Sequence, residues 1–441
     1  MSKSKPSILI ISSANPTTGA GVVAEDYYKA LSLHGFEVDL LTHYKCNSHP
    51  EFLYVKDLNK KSERIKLKIK RHIDKIYRYI RAKIHKCLAY PHAGYYFFYY
   101  EEEKPPISVD DVLSQINKPY DIVYILFWQG MLSFATVRAI YNKLHCVVFF
   151  GGVDYSQMSG GCHFTGDCEN YKTGCGCCPA FESNDIYDFT KHNVAYRKKV
   201  YDEVKPIVFG NSYMMQFYRQ SFLLKNYQYY KSQAIIDTNL FRPLDKSLLY
   251  EQYGISKEKK FKILFGCQSV ADERKGIKYL IEAINIFVSK LTEKELSHVL
   301  VMVIGNDFVK VKSQLCNIDT YDFGFVSKTD LAKLFAFSDV FLCSSVNDAG
   351  PMMVNQSLCC GTPVVGFEMG TCLDAVKDQG TGYCARLRDS KDFAHGIDEI
   401  FRLSDNERLQ MSAKCIEFAN TNYSYAAAVK RLMNAYENRI G

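Results

Sequence analysis

The sequence contains no long apolar run, and this absence excludes several classes of protein. None of its hydrophobic stretches approaches the ~20 residues of a membrane-spanning helix. The polar start, Met1 to Pro6, and the short apolar run Ser7 to Ile11 do not make a signal-peptide core, so we expect a cytoplasmic protein and a buried first strand. In a reducing compartment the sixteen cysteines are expected as thiols or metal ligands and not as a disulfide framework.

Positive charge is concentrated in one segment. The net charge is +7, but residues 60–86 hold twelve Lys or Arg against two acids, which leaves the remainder slightly acidic. The composition of the whole chain therefore does not indicate a nucleic-acid binder. Within the segment, isoleucines recur at spacings of three or four, at Ile65, Ile69, Ile73, Ile76, Ile80 and Ile84. This predicts a basic amphipathic helix that lies on an anionic membrane surface or docks on a partner, the alternative being packing on its own domain.

Short β-branched runs alternate with helical stretches along all 441 residues. The predicted strands are Ile8–Ile11, Val38–Leu41, Ile122–Phe127, Val147–Phe150, Ile207–Phe209, Ile263–Phe265, Val299–Ile304, Val340–Cys343 and Pro363–Phe367. Several lack strict alternation, as expected for strands that are covered on both faces. The pattern runs to about residue 240 and restarts near Lys262, which predicts an α/β protein with two doubly wound, parallel-sheet domains.

Two strand-to-helix turns could hold an anion. The first, Asn15 to Gly21, offers backbone amides around Gly19 and Gly21 before a helix, although a tight turn without a ligand explains it equally well. The second follows a strand and carries Arg274 and Lys275 directly before Gly276. Cations at such a turn suit a diphosphate, and the alternative is a solvated charge cluster.

A third turn is more informative. Asp348 precedes Gly350-Pro351, which forces a turn before a helix beginning near Met352, and Gln356 lies about two turns along that helix. This stretch resembles the donor-site signature of the retaining glycosyltransferases of family 4, which have the GT-B fold. The resemblance covers about residues 205–430 well and the N-terminal half loosely.

The resemblance implies a role for each matching position. Asp348 would hold sugar hydroxyls, Gln356 the ribose, and Lys275 the diphosphate. Gln268 falls near the position where the family has a phosphate-binding Arg, and Arg274 would supply the charge of that Arg. The base of the nucleotide would lie against the turn that contains Phe325 and Val326. The first amides of the helix, after Gly350, Pro351 and Met352, would also face the phosphates, and Asp154 would have a polar role toward the acceptor.

The resemblance further implies two Rossmann-like domains that face each other across a cleft. Residues 1–240 would bind the acceptor, 241–422 the nucleotide sugar, and 423–441 would form a helix that crosses back to the first domain. The reaction would move a sugar, hexosyltransferase-like, from a UDP- or GDP-sugar to a glycan or polyprenyl-linked acceptor, with retention and without a catalytic metal. This activity would serve cell-surface polysaccharide biosynthesis, with the protein peripheral on the inner face of the membrane.

Two departures from the family signature leave open an alternative function without catalysis. Gln356 replaces a carboxylate, although an amide still hydrogen-bonds hydroxyls, and Val153 stands before Asp154 where many relatives have His. A catalytically silent GT-B scaffold of a polysaccharide assembly complex fits these departures.

Five of the sixteen cysteines fall within residues 162–178. The segment resembles the Gly-Gly-Cys-His…Cys…Cys-Gly-x-Cys-Pro stretch of a bacterial surface-polysaccharide subgroup of these transferases. Four thiolates, from Cys162, Cys168, Cys175 and Cys178, could hold a structural zinc ion, the alternatives being ordinary thiols or an occasional disulfide. A zinc-dependent nucleic-acid binder is the other reading, but basic residues are not interleaved with these cysteines, and we expect no nucleic-acid partner.

Overall fold

The computed structural model of the chain describes residues 5–16, 21–55, 61–84, 87–88, 90–92, 95, 97 and 101–440, with the side chains of 61–71 and 74 left out of the description. Two compact units make up the chain. The first contains the residues up to Gly210, then 214–232, and the chain from Val429 onward. The second contains 211–213 and 233–428. The boundaries that the sequence suggests near residues 240 and 422 stay a prediction.

The first unit is built on a seven-stranded parallel sheet. Its strands are β1 (Ile8–Ser12), β2 (Val38–Thr42), β3 (Leu53–Tyr54), β4 (Ile122–Phe127), β5 (Val147–Phe150), β6 (Ile207–Gly210) and β7 (Tyr229–Lys231). Their order across the sheet is β3-β2-β1-β4-β5-β6-β7. β1 pairs with β2 on one side and with β4 on the other, in register from Ile8 opposite Val38 and Ile122.

The second unit repeats this design with six parallel strands. They are β8 (Phe261–Ser269), β9 (Val299–Asn306), β10 (Thr320–Asp322), β11 (Val340–Cys343), β12 (Val364–Phe367) and β13 (Gly382–Ala385), in the order β10-β9-β8-β11-β12-β13. The predicted class, two parallel-sheet α/β domains, is confirmed.

Helices connect the strands. They are α1 (Val22–Leu33), α2 (Lys61–Ile84), α3 (Val109–Leu113), α4 (Phe134–Leu144), α5 (Phe189–Val204), α6 (Ser212–Gln220), α7 (Lys246–Tyr253), α8 (Ile277–Val288), α9 (Glu293–Ser297), α10 (Val309–Lys312), α11 (Lys328–Phe337), α12 (Met352–Cys359), α13 (Cys372–Ala375), α14 (Ser390–Arg402), α15 (Asp405–Tyr423) and α16 (Tyr425–Ile440). Within the described residues, no helix is long and apolar enough to cross a membrane.

Local sequence explains where several of these helices begin and which face they bury. Ser404 and Glu407 form a capping box at the start of α15, an arrangement that contributes about 1 kcal/mol. Along α8, Leu280, Ile284 and Phe287 recur at helical spacing and are fully buried against the second sheet. Such helices cover the faces of the sheet, so the near-continuous apolar sequences of the central strands are buried on both sides.

Candidate active site

The centre of the second sheet positions the first part of the candidate site. β8 and β11 are neighbours, while β9 lies on the far side of β8 and β12 on the far side of β11, so the strand order reverses between them. In open parallel sheets, ligands bind beyond the carboxyl ends of the strands at such a reversal. β8 ends at Ser269 and β11 at Cys343, and the segments that follow carry Lys275 and Asp348.

Lys275 and Asp348 meet at this edge. The Nζ atom of Lys275 lies 2.6 Å from Oδ2 of Asp348, and the Gly350 amide donates to Oδ1 of the same carboxylate at 3.1 Å. Burial by itself would lower the pKa of Lys275, but the charge and hydrogen bond of Asp348 outweigh it, and the pKa is raised. Lys275 therefore stays protonated at neutral pH, in a place where an anionic ligand could replace its carboxylate partner.

The turn before α8 is fixed by its backbone. Gly276 has φ +62°, and a Cβ atom there would lie 2.1 Å from the Ser344 carbonyl oxygen. The Ser344 hydroxyl and the Val346 amide donate to the carbonyls of Lys275 and Arg274, both at 2.7 Å. These bonds hold the turn against the end of β11. The Arg274 guanidinium lies 2.7 Å from the carboxylate of Asp272, so in this structure its charge is directed toward that acid.

The N-terminus of α12 opens next to Asp348. Pro351 occupies the N-cap position and has no side-chain acceptor. The Val354 amide already donates to the Pro351 carbonyl at 3.1 Å, so the amides of Met352 and Met353 are the ones that an anion at this helix start would use. Gln356 is the fifth residue of α12, about one turn from its start and not the two turns that the sequence suggests, and it is 9% exposed. A helix start of this kind favours an anion, and here it stands beside the Lys275 ammonium.

Asn211, which no sequence motif marks, supports this turn, and the neighbouring Ser212 binds Asp374 of α13. The Asn211 side-chain amide donates to the Ala349 carbonyl at 2.5 Å, and the Ser212 amide donates to Asp374 at 2.8 Å. Asn211 follows β6 and is separated from Ala349 by 138 positions. No local pattern links the two positions, so only the tertiary structure reveals the contact.

The remaining donor-side predictions lie at the same edge of the second sheet. Gln268 is exposed near the end of β8. The Gly305 amide, at the end of β9, donates to the Gly324 carbonyl at 2.8 Å and so fixes the turn that follows β10. Phe325, in that turn, is 77% exposed, and Val326 is half-buried. An exposed aromatic ring at this position is available to stack on a flat ligand.

The glycine-rich turn after β1 is described only in part. Gly19 lies outside the described residues. Gly21 precedes α1, and a Cβ atom there would lie 1.9 Å from the Asn15 carbonyl oxygen, so the close backbone approach requires glycine. Nothing in the described part of this turn distinguishes a ligand site from a tight turn.

Asp154 organises a polar cluster at the carboxyl edge of the first sheet. It follows β5 and is 1% exposed. Its carboxylate accepts from the Gln129 side chain at 2.9 Å and from the Ser156 amide at 2.8 Å, and it lies 2.6 Å from Nδ1 of His163. Of these residues the sequence predicts a role for Asp154 alone. Gln129 carries no sequence signal, and His163 enters only as the His of the Gly-Gly-Cys-His stretch.

A buried ion pair, Arg197 with Glu102, stabilises the loop that carries Ser156 of this cluster. Arg197 and Glu102 are 2% and 1% exposed, and Arg197 Nε donates to Glu102 at 2.8 Å. Arg197 also donates to the Ser156 carbonyl at 2.5 Å, while Glu102 accepts from the Phe134 amide at 2.8 Å. Because removing one partner leaves a buried charge unpaired, this pair fixes the loop that carries Ser156.

The four predicted zinc ligands, Cys162, Cys168, Cys175 and Cys178, line one small cavity as free thiols. Nevertheless, no group of three or more His, Cys, Asp or Glu side chains in the described part of the chain is arranged to hold a metal ion. Burial raises the pKa of Cys175 and of Cys178 to about 12, so these thiols are held neutral. The zinc prediction, which rested on spacing, is not supported by the structure.

The predicted basic helix is present as α2, and part of its apolar face is exposed. Ile73, Ile76, Ile80 and Ile84 are 59%, 50%, 55% and 70% exposed. Near the end of the helix Ala82 is buried, so this part is attached to its unit while the isoleucines face outward. The side chains of Ile65 and Ile69 lie outside the described residues. For the four described isoleucines, packing on their own domain is therefore excluded.

The comparison with known proteins concerns mainly the second unit. Residues 251–420 match the family of glycosyl transferases group 1. This match includes the turn with Lys275 and the helix start after Asp348. Over 176 residues the chain is 26% identical to N-acetyl-alpha-D-glucosaminyl L-malate synthase of Bacillus anthracis, covering 40% of this chain and 44% of that protein. The matched segment thus spans less than half the length of the curated relatives.

Similarity in three dimensions extends over the whole chain. Sucrose-phosphate synthase of Thermosynechococcus elongatus is similar with a TM-score of 0.65 over 99% of both chains, at 13% identity. Anabaena HepE, solved in complex with UDP-glucose, is similar with a TM-score of 0.62 over 98% of this chain and all of that chain, at 12% identity. At such identities the likeness establishes the GT-B fold alone.

Proposed function

We propose that the chain is a retaining glycosyltransferase that moves a sugar from a nucleotide-sugar donor to a glycan or lipid-linked acceptor. The observation that carries the proposal is the Lys275–Asp348 pair beside the start of α12, at the strand reversal of the second sheet. The family match to residues 251–420 supports it, because the pair lies inside the matched segment.

The chemistry follows from the charges at this edge. A nucleoside diphosphate leaves when the sugar is transferred, and negative charge grows on it in the transition state. The protonated Lys275 and the first amides of α12 are fixed before the reaction, so they stabilise that charge without reorganising. Asp348 loses its ammonium partner when the diphosphate binds, and its carboxylate is then available to accept hydrogen bonds from sugar hydroxyls.

UDP is the favoured donor nucleotide and GDP the alternative. HepE, a structural neighbour, has been solved with UDP-glucose. The exposed ring of Phe325 would stack on the base, and Gln356 would hydrogen-bond the ribose. Retention of configuration rests on the resemblance to family 4 and on the positions of Lys275 and Asp348 within that signature.

The acceptor is proposed to bind where the chain contacts a membrane surface. The exposed isoleucines of α2 and the Lys and Arg residues between them suit an anionic bilayer surface, where apolar side chains enter the interface and cations stay at the headgroups. A lipid-linked acceptor in cell-surface polysaccharide biosynthesis would be presented at such a surface, on its cytoplasmic side.

Calorimetry on the purified full chain, with UDP, GDP and their sugars, tests the donor assignment. Transfer is then measured with the radiolabelled donor that binds, against membrane lipid extract and soluble glycans, and the anomer of the product is read by NMR. Binding of a nucleoside diphosphate with transfer and a retained anomer supports the proposal. Binding without hydrolysis or transfer indicates the silent scaffold, and no binding of either nucleotide overturns the assignment.

A further inference from the structure

One peptide group of the turn before α12 lies between the Asn211 side chain and the Asp348 carboxylate. The Asn211 side-chain amide donates to the Ala349 carbonyl at 2.5 Å, and the Gly350 amide donates to Oδ1 of Asp348 at 3.1 Å. This carbonyl and this amide belong to the same peptide bond, which is trans. Because a trans peptide group is planar and points its C=O and N–H in opposite directions, Asn211 and Asp348 bind its two ends.

Asn211 fixes a peptide group that its own sequence leaves adaptable, because the amide of this group belongs to a glycine. Asn211 lies directly against that glycine, and a Cβ atom at Gly350 would be 3.1 Å from Asn211 Nδ2. Its neighbour anchors it, since the Ser212 amide and hydroxyl donate to the two carboxylate oxygens of Asp374 at 2.8 and 2.5 Å. Residues 211–213 belong to the second unit, as the turn before α12 does.

The peptide group becomes more important when a donor is bound. In the structure Lys275 lies 2.6 Å from Oδ2 of Asp348, and the Gly350 amide binds Oδ1. When a diphosphate takes over the Lys275 ammonium group, Oδ2 loses this partner, and the bond from Gly350 keeps the carboxylate oriented. The direction in which Asp348 offers its oxygens then depends on the plane of the peptide group, and therefore on Asn211.

We propose that Asn211 is a positioning residue, which orients the Asp348 carboxylate toward the donor sugar through the Ala349–Gly350 peptide group. This inference rests on the proposed function, in which Asp348 accepts hydrogen bonds from sugar hydroxyls. Asn211 acts in this way without touching the sugar or the diphosphate. Its loss should therefore weaken the binding of a sugar nucleotide more than the binding of the nucleoside diphosphate alone.

The phosphate side of the site has supports of its own. A Cβ atom at Gly370 would lie 3.0 Å from Cδ of Pro351, so the turn after β12 packs closely on the N-cap residue of α12. The Thr371 hydroxyl donates to the side chain of Asn355, within α12, at 2.9 Å. These contacts do not involve Asn211, so the first amides of α12 should keep their positions in a variant that lacks it.

Calorimetry on the full chain tests the inference with UDP, GDP, UDP-glucose, UDP-galactose, UDP-N-acetylglucosamine and GDP-mannose. Asn211→Ala should lower the affinity for the sugar nucleotide that the wild type binds by about three- to tenfold, the value of one hydrogen bond. Affinity for the corresponding nucleoside diphosphate should stay within about twofold. Ser212→Ala is the matched control, since it removes the hydroxyl bond to Asp374 and leaves the peptide group untouched, so both affinities should stay near wild type.

Gly350→Ala disturbs the same contact from the other side, because its methyl group would meet Asn211 Nδ2. It should lower the affinity for the sugar nucleotide selectively, and it should do so less in the Asn211→Ala background, where that atom is gone.

Three outcomes overturn the inference alone. They are equal losses of both affinities in Asn211→Ala, which would assign Asn211 a purely structural role, no loss of either affinity, and a wild-type chain that binds a nucleoside diphosphate but none of the sugar nucleotides. A wild-type chain that binds neither UDP nor GDP would instead refute the proposed function.

Discussion

Lys275 and Asp348 are 73 positions apart in sequence, and their charged atoms lie 2.6 Å apart at the strand reversal of the second sheet. One belongs to the turn after β8 and the other to the segment after β11. Each is the counter-ion of the other in the structure, and a donor diphosphate would take the place of the carboxylate. The pair therefore joins the two turns that the proposed donor must contact.

Replacement of Lys275 by Ala should weaken both UDP binding and transfer. A charge-assisted hydrogen bond to the diphosphate contributes about 1.5–3 kcal/mol, which corresponds to roughly a 10- to 150-fold loss of affinity. Part of this interaction strengthens as charge develops on the leaving group, so kcat should fall as well. Calorimetry with UDP and steady-state kinetics measure the two effects.

The control for this change is Lys278→Ala. Lys278 is exposed and is the second residue of α8, with its Nζ atom over the Tyr279 ring. Its loss should leave UDP affinity near wild type. If the two variants behave alike, the diphosphate does not bind at Lys275, and the donor site is misplaced.

Gly276→Ala should destabilise the chain more than Gly254→Ala. Both glycines have left-handed φ values, +62° and +61°, so both substitutions strain the backbone by about 1 kcal/mol. Only at Gly276 would the new methyl group meet a carbonyl oxygen, that of Ser344, at 2.1 Å, while nothing lies within 4 Å at Gly254. Urea unfolding of both variants measures the difference, and equal losses would show that the turn at Gly276 can shift.

The central strands were predictable from sequence for a simple reason. Ile122–Phe127, Val147–Phe150 and Val340–Cys343 were predicted with the bounds that the structure shows, because strands buried on both faces are short apolar runs. The strands at or near the sheet edges, such as β7 and β10, were missed. They have three residues each, all half-buried or exposed, so burial imposes no apolar pattern on them.

The candidate site was predictable only where its residues are close together in the sequence. Asp348 and Gly350 are adjacent in a recognisable turn, and their roles followed from it. The contacts of Asp154 with His163 and of Asn211 with Ala349 depend on how loops from different strands meet, and no local pattern encodes them. The cysteine spacing is misleading in the opposite way, because the four thiols line one cavity, yet no group of His, Cys, Asp or Glu among the described residues is arranged to hold a metal ion.

Acid should destabilise the second unit through Asp339. Its two carboxylate oxygens lie 2.7 Å from the ammonium groups of Lys246 and Lys262. Burial by itself would raise the pKa of Asp339, but the two lysines outweigh it, and the pKa lies below the usual value of 3.8. The folded state then binds fewer protons than the unfolded state, so this stabilisation is present above about pH 4 and is lost as the pH falls through the folded pKa.

Asp339→Asn should lower the free energy of unfolding at neutral pH by about 3–5 kcal/mol, because it leaves buried Lys262 without its counter-ion. Its stability should also fall less between about pH 5 and pH 3 than that of the wild type. Urea unfolding at a series of pH values measures both effects. Glu169→Gln, which removes a surface ion pair with Lys172, serves as the control and should change little. Parallel pH profiles for wild type and Asp339→Asn would contradict the argument.

Replacing Ile76 and Ile80 together with Glu should strongly weaken binding to anionic vesicles. Both side chains are at least half exposed on α2, and burial of each in the membrane interface contributes about 1.5–3 kcal/mol. Their loss should therefore weaken binding by more than about tenfold. Sedimentation with phosphatidylglycerol vesicles measures this, and added salt should weaken the wild-type interaction because part of it is electrostatic. Leu33→Glu is the matched control, since Leu33 is 76% exposed at the end of α1 and belongs to no such basic, apolar stripe. Equal sedimentation of wild type and the Ile76/Ile80 variant would mean that α2 does not bind the membrane, and its exposed face would then be assigned to a protein partner.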